Sequence, residues 1–384
     1  MSLCRPAAFA SGSLRRGPLR RPANDYARRC KPIHNRGPEP QHTAAPVLRA
    51  AVARNTSDTA RSTARRHHEP WEFHCGGWYN GRVSASRIWL LLVCAVAATV
   101  VAVRPAAAAP ELAETTVLDV YSPAMDRVVS NRVIPAAHAG APTLYLLTGA
   151  GGGQDGISWW DDTDVREFFA DKNVNVVMPI GGAFTLYTDW IADDPIAGRN
   201  KWQTYLTGEL PAAVDARFAT SGRNAIAGVS MSAGSAIDLA IQGGDRYSAV
   251  ASYSGCPWTS DAAGVAMAGA VVLRGGGNPA NMWGVPGGEV WRAHDPYLHA
   301  ERLRGKTVYL SAASGVPGVI DRNGLPSPVV EAIASSCTAA FAAHLSRQGM
   351  TPIHVDRSAG SHTWGQFQTD LHDSWPHLAR AIGA

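Results

Sequence analysis

The chain has 384 residues, of which 46% are hydrophobic and 17% are charged, which is enough for one large folded domain or two small ones. Its formal net charge of +4 hides an uneven distribution: residues 1–87 hold 16 Lys and Arg against 5 Asp and Glu, whereas the remaining residues hold 19 against 26. A protein that binds nucleic acid carries its positive charge on the folded part. Because the larger C-terminal part is acidic, the composition excludes nucleic acid as a partner.

Residues 83–109 are predicted to be a secretory signal peptide. Arg82 and Arg87 precede the apolar run Ile88–Val103, and the alanine-rich stretch after it offers A-x-A cleavage sites that end at about Ala109. A membrane anchor is the alternative, but a run of 16 residues is short for a membrane span. We therefore expect a cleaved, secreted protein of the cell envelope whose mature form has no stable membrane span.

The segment upstream, residues 1–82, is rich in Arg, Pro, Ala and His and has no apolar periodicity. This composition predicts a disordered basic segment. The segment would be absent from the protein if translation starts near Val83.

Two cysteines remain after the predicted cleavage, Cys256 and Cys337. Export permits a disulfide between them. Two buried free thiols are the alternative.

From residue 110 onward, strand-like runs alternate with helical runs. The first two runs predict a hairpin, and most of the others are apolar throughout, which is typical of strands that are covered on both faces. The alternation predicts one doubly wound α/β domain over about 110–384, with a mostly parallel sheet and helices on both faces. The glycine- and proline-rich stretch 274–288 is predicted to be a surface loop or an insertion. The predicted strands are TTVLDVYS (115–122), RVVSNRVI (127–134), LYLLT (144–148), VNVVMP (174–179), NAIAGVS (224–230), AVASYSG (249–255), TVYLSAA (307–313) and PIHVD (352–356).

The clearest chemical signal is the segment AIAGVSMSAG, residues 225–234. An apolar strand runs into small residues and then into a helix, as in the nucleophile elbow of an α/β-hydrolase, which predicts that fold with Ser230 as the nucleophile. The amide of Met231, the first of the helix, would be an oxyanion donor. Ser232 stands where the motif G-x-S-x-G has its second glycine, but its spacing from Gly228 is wrong for the nucleophile.

A general base is expected after the last strand, since this fold has the chain order serine, acid, histidine. His362 has that position, whereas His354 lies inside the strand and is expected to be packed. Surface positions are expected for His294, His299 and His344.

The residues alone leave the acid open between Asp321, which follows the seventh strand, and Glu331, at the start of a long helix. A glutamate at a helix start is also often only a favourable partner of the helix dipole.

The second oxyanion donor is expected in the loop after LYLLT, where four glycines and Ala150 follow one another closely. The amide of Ala150 is the candidate, and a simple tight turn is the alternative.

Several motifs in order resemble the secreted mycolyltransferases, the antigen 85 complex and its corynebacterial relatives, over about 115–384. These motifs are LYLLTGAGGGQDGISWWDDTDV, NVNVVMPIGG, YTDW, KWQTYLTGELP, AIAGVSMSAGSA and AGSHTWGQF. The resemblance implies that Glu331 is the acid and that the amides of Met231 and Ala150 form the oxyanion hole. It also implies that Trp364 lines the acceptor site.

The chain departs from the mycobacterial members in the loop after the third strand. They carry an aspartate and an arginine that help to hold trehalose, where this chain has Thr148 and Gly151. The glycine-rich loop is similar to the corynebacterial branch, and Gly149 and Gly151 are the residues expected near the substrate. Cys256 and Cys337 do not lie where the mycobacterial disulfide lies.

The function implied by the resemblance is transfer of a mycolyl group from trehalose monomycolate to a trehalose mycolate or to cell-wall arabinogalactan, through an acyl-enzyme. No metal or cofactor is expected. A secreted carboxylesterase with water as the acceptor shares every catalytic residue, and a non-catalytic wall-binding paralogue is the third alternative.

Overall fold

The computed structural model describes residues 114–384, so the expectations for residues 1–82 and 83–109 lie outside the described residues. The described residues fold around an eight-stranded sheet with the strand order β1-β2-β4-β3-β5-β6-β7-β8. The strands are β1 (Thr116–Ser122), β2 (Arg127–Ile134), β3 (Thr143–Leu147), β4 (Asn175–Pro179), β5 (Asn224–Val229), β6 (Ala249–Tyr253), β7 (Thr307–Ala313) and β8 (Ile353–Arg357).

The first two strands form the predicted antiparallel hairpin, and β2 also runs antiparallel to β4. All other neighbours are parallel. The central strands β3 to β6 are buried at every residue, because helices cover both of their faces. The edge strands β1 and β8 alternate between more and less exposed residues. The prediction of a doubly wound, mostly parallel α/β-hydrolase fold is confirmed.

Ten α-helices connect the strands within residues 114–384. They are α1 (Trp159–Asp162), α2 (Val165–Phe169), α3 (Trp202–Thr204), α4 (Leu210–Phe218), α5 (Met231–Gln242), α6 (Ala262–Arg274), α7 (Pro279–Trp283), α8 (Glu289–Ala293), α9 (Pro328–Arg347) and α10 (Trp364–Ile382). One π-helical turn, Tyr205–Glu209, joins α3 to α4.

The period of two along the strands divides the core between the two faces of the sheet. In β3, Tyr145 and Leu147 belong to a cluster that includes residues of α5, whereas Leu144 and Leu146 belong to one that includes residues of α10. Each large apolar side chain buried in this way contributes about 1.5–3 kcal/mol. The two clusters fix the sheet between α5 and α10, which flank the serine and histidine loops.

The sequence of α10 has the pattern of an amphipathic helix. Its buried large residues recur at three- and four-residue intervals and form one apolar stripe, which packs on β5, β6 and β7. The helix ends at Gly383, whose φ of 71° is a left-handed conformation that glycine adopts readily. The residues of the stripe are Phe367, Leu371, Trp375, Leu378 and Ile382.

The stretch 274–288 differs from the predicted surface loop. It contains α7, and its Met282 and Trp283 are buried in a third apolar cluster together with Trp190 and Trp291. Glycine and proline content indicated the turns correctly, but two large apolar residues were enough to anchor the segment to its neighbours.

Helix α9 is, within the described part of the chain, the one helix long and apolar enough to cross a membrane by length and composition. Here it packs on β7 and β8. Its first turn contains Glu331, which is completely buried.

A disulfide joins Cys256, just after β6, to Cys337 in α9, with Cα atoms 4.9 Å apart and a sequence separation of 81. The sequence left open a disulfide or two free thiols, and the structure has the disulfide. The bond therefore ties the loop after β6 to the helix that carries Glu331.

Removing this bond with the double variant Cys256→Ser, Cys337→Ser is expected to lower the free energy of unfolding by about 2–4 kcal/mol, because cross-linking a long loop restricts the unfolded chain. Guanidinium unfolding of the variant and of the wild type measures the change. Wild type treated with a reductant is the matched control and should shift to the same midpoint; an unchanged midpoint in both would contradict the prediction.

Candidate active site

Ser230 lies between the end of β5 and the start of α5, with φ 56° and ψ −117°. A serine in this region is strained, and the surrounding turn must hold it there. Gly228 is required for the same turn, because a Cβ there would lie 2.1 Å from the carbonyl oxygen of Ser232. The sharp turn leaves the Ser230 side chain at the end of the strand, facing a cavity.

Ser232 is a structural residue of this turn. It is fully buried, and its Oγ accepts a hydrogen bond from the Val229 amide at 2.9 Å and lies 3.1 Å from the Val229 carbonyl oxygen, to which it donates. The ambiguity in the sequence motif is thereby removed, since Ser232 Oγ points into the strand end rather than toward a histidine.

The structure brings Ser230, His362 and Glu331 together in one hydrogen-bonded chain. His362 Nε2 lies 2.9 Å from Ser230 Oγ, and His362 Nδ1 lies 2.6 Å from Glu331 Oε2. A carboxylate accepts hydrogen bonds only, so Nδ1 carries the proton and Nε2 is free to accept one from Ser230. This is the geometry that general-base activation of a serine requires.

Glu331 is held by a second set of donors on its other oxygen. Oε1 accepts from the Ala313 amide at 2.6 Å, from Ser254 Oγ at 2.8 Å and from Gln366 Nε2 at 2.7 Å. Burial by itself would raise the pKa of Glu331, but the hydrogen bond and charge of His362, with the donors Gln366 and Ala313, outweigh it and hold the pKa below its usual value. The carboxyl group therefore stays ionised at neutral pH.

Backbone strain is concentrated in this network. Ser230, Ser254 and His362 have φ angles of 56°, 53° and 69°. Such conformations cost non-glycine residues about 1–3 kcal/mol each and persist where the surroundings over-determine them. Ser254 and His362 both hydrogen-bond to Glu331 and Gln366, and the Ser230 amide donates to the Tyr253 carbonyl oxygen at 2.9 Å.

Asp321, the alternative acid, does not contact His362 through its side chain. Its Oδ1 accepts from the Ser361 amide at 2.9 Å and from Thr363 Oγ1 at 2.9 Å, and its Oδ2 accepts from the Gly318 amide at 2.7 Å. Asp321 thus binds the two residues on either side of His362. Burial would raise the pKa of Asp321, but these donors lower it below its usual value.

We expect Asp321→Asn to lower the free energy of unfolding by about 1 kcal/mol at neutral pH, because either orientation of the amide places an NH2 group against a partly buried donor. The folded pKa is lower than the unfolded value of 3.8, so this stability is present above pH 3.8 and is lost as the pH falls through the folded pKa. Urea unfolding at neutral and acidic pH measures the difference, which should vanish in acid; a pH-independent difference would contradict this account.

The glycine loop after β3 passes beside the serine. A Cβ at Gly149 would lie 3.8 Å from Ser230 Cβ. The amides of Ala150 and Met231 donate to no other atom in residues 114–384, and the first amides of a helix have no partner within it. Both N–H groups are therefore available to a ligand, while their role as an oxyanion hole stays a prediction.

Thr148 and Gly151, where the sequence is expected to depart from the mycobacterial pattern, do not line the cavity at Ser230. Thr148 is buried and its methyl group faces Gly153. A Cβ at Gly151 would lie 1.9 Å from Asp155 Oδ2, so a side chain there requires Asp155 to move. The roles of Gly149 and Gly151 in binding substrate stay predictions.

Trp364 is the first residue of α10 and is 7% exposed. Its ring packs edge-on against Trp159 at 5.3 Å and Phe367 at 5.6 Å. It is not part of the wall of the cavity at Ser230, so the structure gives it a packing role, and its contact with an acceptor stays a prediction.

Ser230 and His362 open onto a cavity of about 280 Å³. Side chains from α6 and from the first turns of α9 make most of its wall apolar. Among them are Met267, Ala268, Val271, Val330 and Ile333. A cavity of this kind accepts a hydrocarbon chain.

The other histidines differ in part from expectation. His354 is exposed rather than packed, because β8 is an edge strand. His294 was expected at the surface, but its side chain is 12% exposed and lines the cavity.

Within residues 114–384, no group of three His, Cys, Asp or Glu side chains is placed to hold a metal ion. That catalysis needs neither metal nor cofactor stays a prediction.

Two residues of the network, Ser254 and Gln366, were not singled out from the sequence. Gln366 Oε1 also accepts the His362 amide at 3.0 Å, and its Nε2 donates to Ser254 Oγ at 2.9 Å. Gln366 stands four residues after His362, in the first turn of α10, and this spacing is the one local signal that could have indicated it.

Comparison with known proteins identifies the family. A family model described as a putative esterase matches residues 122–378. The diacylglycerol acyltransferase/mycolyltransferase Ag85A of Mycobacterium tuberculosis is 32% identical over 278 residues, which cover 70% of this chain and 81% of that relative. The chain belongs to the antigen 85 mycolyltransferase family. The family predicted from the sequence motifs is thereby confirmed.

Solved structures agree with this membership. The antigen 85-type chain matches Mycobacterium tuberculosis MPT51 (FbpC1) with a TM-score of 0.62 and 27% identity, over 70% of this chain and 99% of that one. It also matches FphF, a fluorophosphonate-binding serine hydrolase of Staphylococcus aureus, with a TM-score of 0.54, 15% identity and coverage of 70% and 99%. The second match shows the fold alone.

Proposed function

We propose that residues 110–384 form a secreted serine acyltransferase that transfers long-chain acyl groups, of the mycolyl type, between sugar hydroxyls. The donor is trehalose monomycolate, and the acceptor is a second trehalose mycolate or cell-wall arabinogalactan. The observation that carries the proposal is the hydrogen-bonded chain Ser230–His362–Glu331, which opens onto an apolar cavity. Membership of a family whose curated relatives are named acyltransferases supports transfer as the reaction.

In the first half-reaction, Ser230 Oγ attacks the ester carbonyl carbon of the donor while His362 Nε2 takes the hydroxyl proton. The amides of Met231 and Ala150 donate to the oxyanion, and one such donor is worth about 3–4 kcal/mol. The carbon–oxygen bond to the sugar then breaks, His362 returns the proton to the leaving sugar oxygen, and an acyl ester remains on Ser230.

In the second half-reaction, an acceptor hydroxyl repeats these steps in the opposite direction. His362 takes its proton, the acceptor oxygen attacks the acyl carbon, and Ser230 leaves with the proton from His362. Glu331, ionised and buried, orients His362 and stabilises the imidazolium that forms in each half-reaction.

The apolar cavity removes the acyl chain from contact with water. Burial of each methylene contributes about 0.8 kcal/mol. A chain held there exposes only its ester carbonyl carbon to Ser230, and the sugar part remains at the open side.

Mass spectrometry of the protein after incubation with a trehalose ester tests the proposal. We expect an acyl adduct on Ser230 that trehalose removes faster than water does. An adduct that water alone clears, with no effect of trehalose, would instead favour a carboxylesterase. Absence of any adduct would favour the non-catalytic wall-binding protein and would overturn the proposal.

A further inference from the structure

The apolar cavity at Ser230 contains one ionisable pair that the proposed catalytic steps do not use. Asp238 Oδ2 lies 2.8 Å from His294 Nδ1, and both side chains line the cavity. They are 10% and 12% exposed, respectively. Moving an ionisable pair from water into an apolar wall costs free energy, and the hydrogen bond within the pair offsets this cost only in part. Such a pair therefore calls for an explanation.

The pair lies further along the cavity wall than the nucleophile. Met231, Gly234, Ser235 and Asp238 all line the cavity, and this three- and four-residue spacing places them on one face of α5. The cavity therefore follows the axis of α5 from Ser230. Eight residues at 1.5 Å each put the backbone of Asp238 about 12 Å along that axis from Ser230. An extended alkyl chain advances somewhat less than one C–C bond of about 1.5 Å per carbon, so about ten carbons cover the distance.

The hydrogen-bonding state of His294 decides what it can bind. In the neutral imidazole, whose Nδ1 proton the Asp238 carboxylate accepts, Nε2 carries a lone pair. Nε2 has no hydrogen-bond partner in the part of the chain that is described, whereas the hydroxyls of Ser235, Ser254 and Thr259 in the same wall all bind protein atoms. The imidazole thus presents an unused acceptor.

A second carboxylate–histidine pair, also stacked on an aromatic ring, allows a comparison with Asp238 and His294. Asp164 Oδ1 lies 2.8 Å from His372 Nε2, and the His372 ring stacks on Phe168 at 3.9 Å. In the same way, His294 stacks on Trp283 at 5.0 Å. The unit at His372 is more exposed and lines no part of the cavity at Ser230, so a carboxylate–histidine–aromatic stack alone is a packing device. What distinguishes His294 is its place in the wall of the cavity.

We infer that the cavity selects acyl chains with a hydroxyl group about ten carbons from the ester carbonyl, which donates its proton to His294 Nε2. This inference rests on the proposed function, since it needs an acyl chain that extends from Ser230. Asp238 is a positioning residue that fixes the His294 tautomer, and His294 is the specificity-determining residue.

The test compares para-nitrophenyl decanoate with para-nitrophenyl ω-hydroxydecanoate in the wild type and in two variants. His294→Phe keeps an aromatic ring to stack on Trp283 but removes the acceptor, and His372→Phe is the matched control. In the wild type, we expect the hydroxylated ester to have roughly 3- to 10-fold higher kcat/KM, the effect of one neutral hydrogen bond. His294→Phe should lose this preference and His372→Phe should keep it.

A measurement that needs no variant uses the ω-methoxy ester, which cannot donate and should lose the preference in the wild type. Equal kcat/KM for the hydroxylated and plain esters, or a preference that persists in a folded His294→Phe variant, would overturn the inference while leaving acylation of Ser230 intact. Failure of every ester to acylate Ser230 would overturn the proposed function, and the inference with it.

Discussion

Replacing Ser230 with alanine is expected to lower kcat for ester turnover by a factor on the order of 10⁵ and to abolish the covalent adduct. The reason is geometric: Ser230 Oγ is the hydroxyl that lies 2.9 Å from His362 Nε2, at the head of the cavity. The measurement combines initial rates on a soluble ester with intact-protein mass after incubation with a trehalose ester.

Ser232→Ala is the matched control, since it removes the same group two positions away. Ser232 Oγ bonds only to Val229 in the described structure, so its loss should lower the free energy of unfolding by about 1–2 kcal/mol and leave kcat within a few-fold. An adduct that survives in the Ser230 variant and disappears in the Ser232 variant would reverse the assignment.

Replacing Glu331 with glutamine is expected to lower kcat by about 10⁴-fold, the order of loss when the acid of such a triad becomes an amide. The amide cannot satisfy both sides of the site. Either its NH2 group faces His362 Nδ1 and favours the wrong tautomer, or it faces the Ala313 amide, which is itself a donor. Steady-state rates on the same ester measure the loss.

Asp321→Asn separates this effect from a general disturbance of the histidine loop. It weakens the contacts that hold Ser361 and Thr363 but leaves Glu331 against His362, so kcat should fall by about tenfold at most. A larger loss from Asp321→Asn than from Glu331→Gln would make Asp321 the acid.

The Glu331 variant also has a signature in the acid dependence of stability. Because the pKa of Glu331 is lower in the folded protein than its usual value of 4.5, the ionised group contributes stability above pH 4.5, and this contribution is lost as the pH falls through the folded pKa. Glu331→Gln should lack this part of the acid transition. An identical acid transition in both proteins would contradict the lowered pKa.

The sheet and the turn that carries Ser230 could be predicted because their signals are local. Strands β3 to β6 are apolar runs bounded by turn residues, and the strand–serine–helix pattern around Ser230 is complete within ten residues. His362 followed from its place after the last strand. These features depend on sequence neighbours, which a pattern can record.

The contact between Glu331 and His362 could not be predicted from the residues alone, because tertiary packing produces it. The Glu331 carboxylate accepts a hydrogen bond from the amide of Ala313, which stands 18 residues earlier in the chain. Only the packing of α9 on the sheet brings Glu331 to His362. By itself it is indistinguishable from a glutamate that favours a helix dipole. Ser254 lies 77 residues from Glu331, its hydrogen-bond partner, so no local pattern could join them.

Helix α9 connects substrate fit to proton transfer. Val330 and Ala334 face the cavity, and Glu331, between them in the same helical turn, holds His362. An acyl chain bound in the cavity would therefore contact the same helical turn that holds Glu331 against His362. Acyl length is therefore expected to change the maximal rate as well as the affinity, because one helical turn contributes both to the wall of the cavity and to the position of His362.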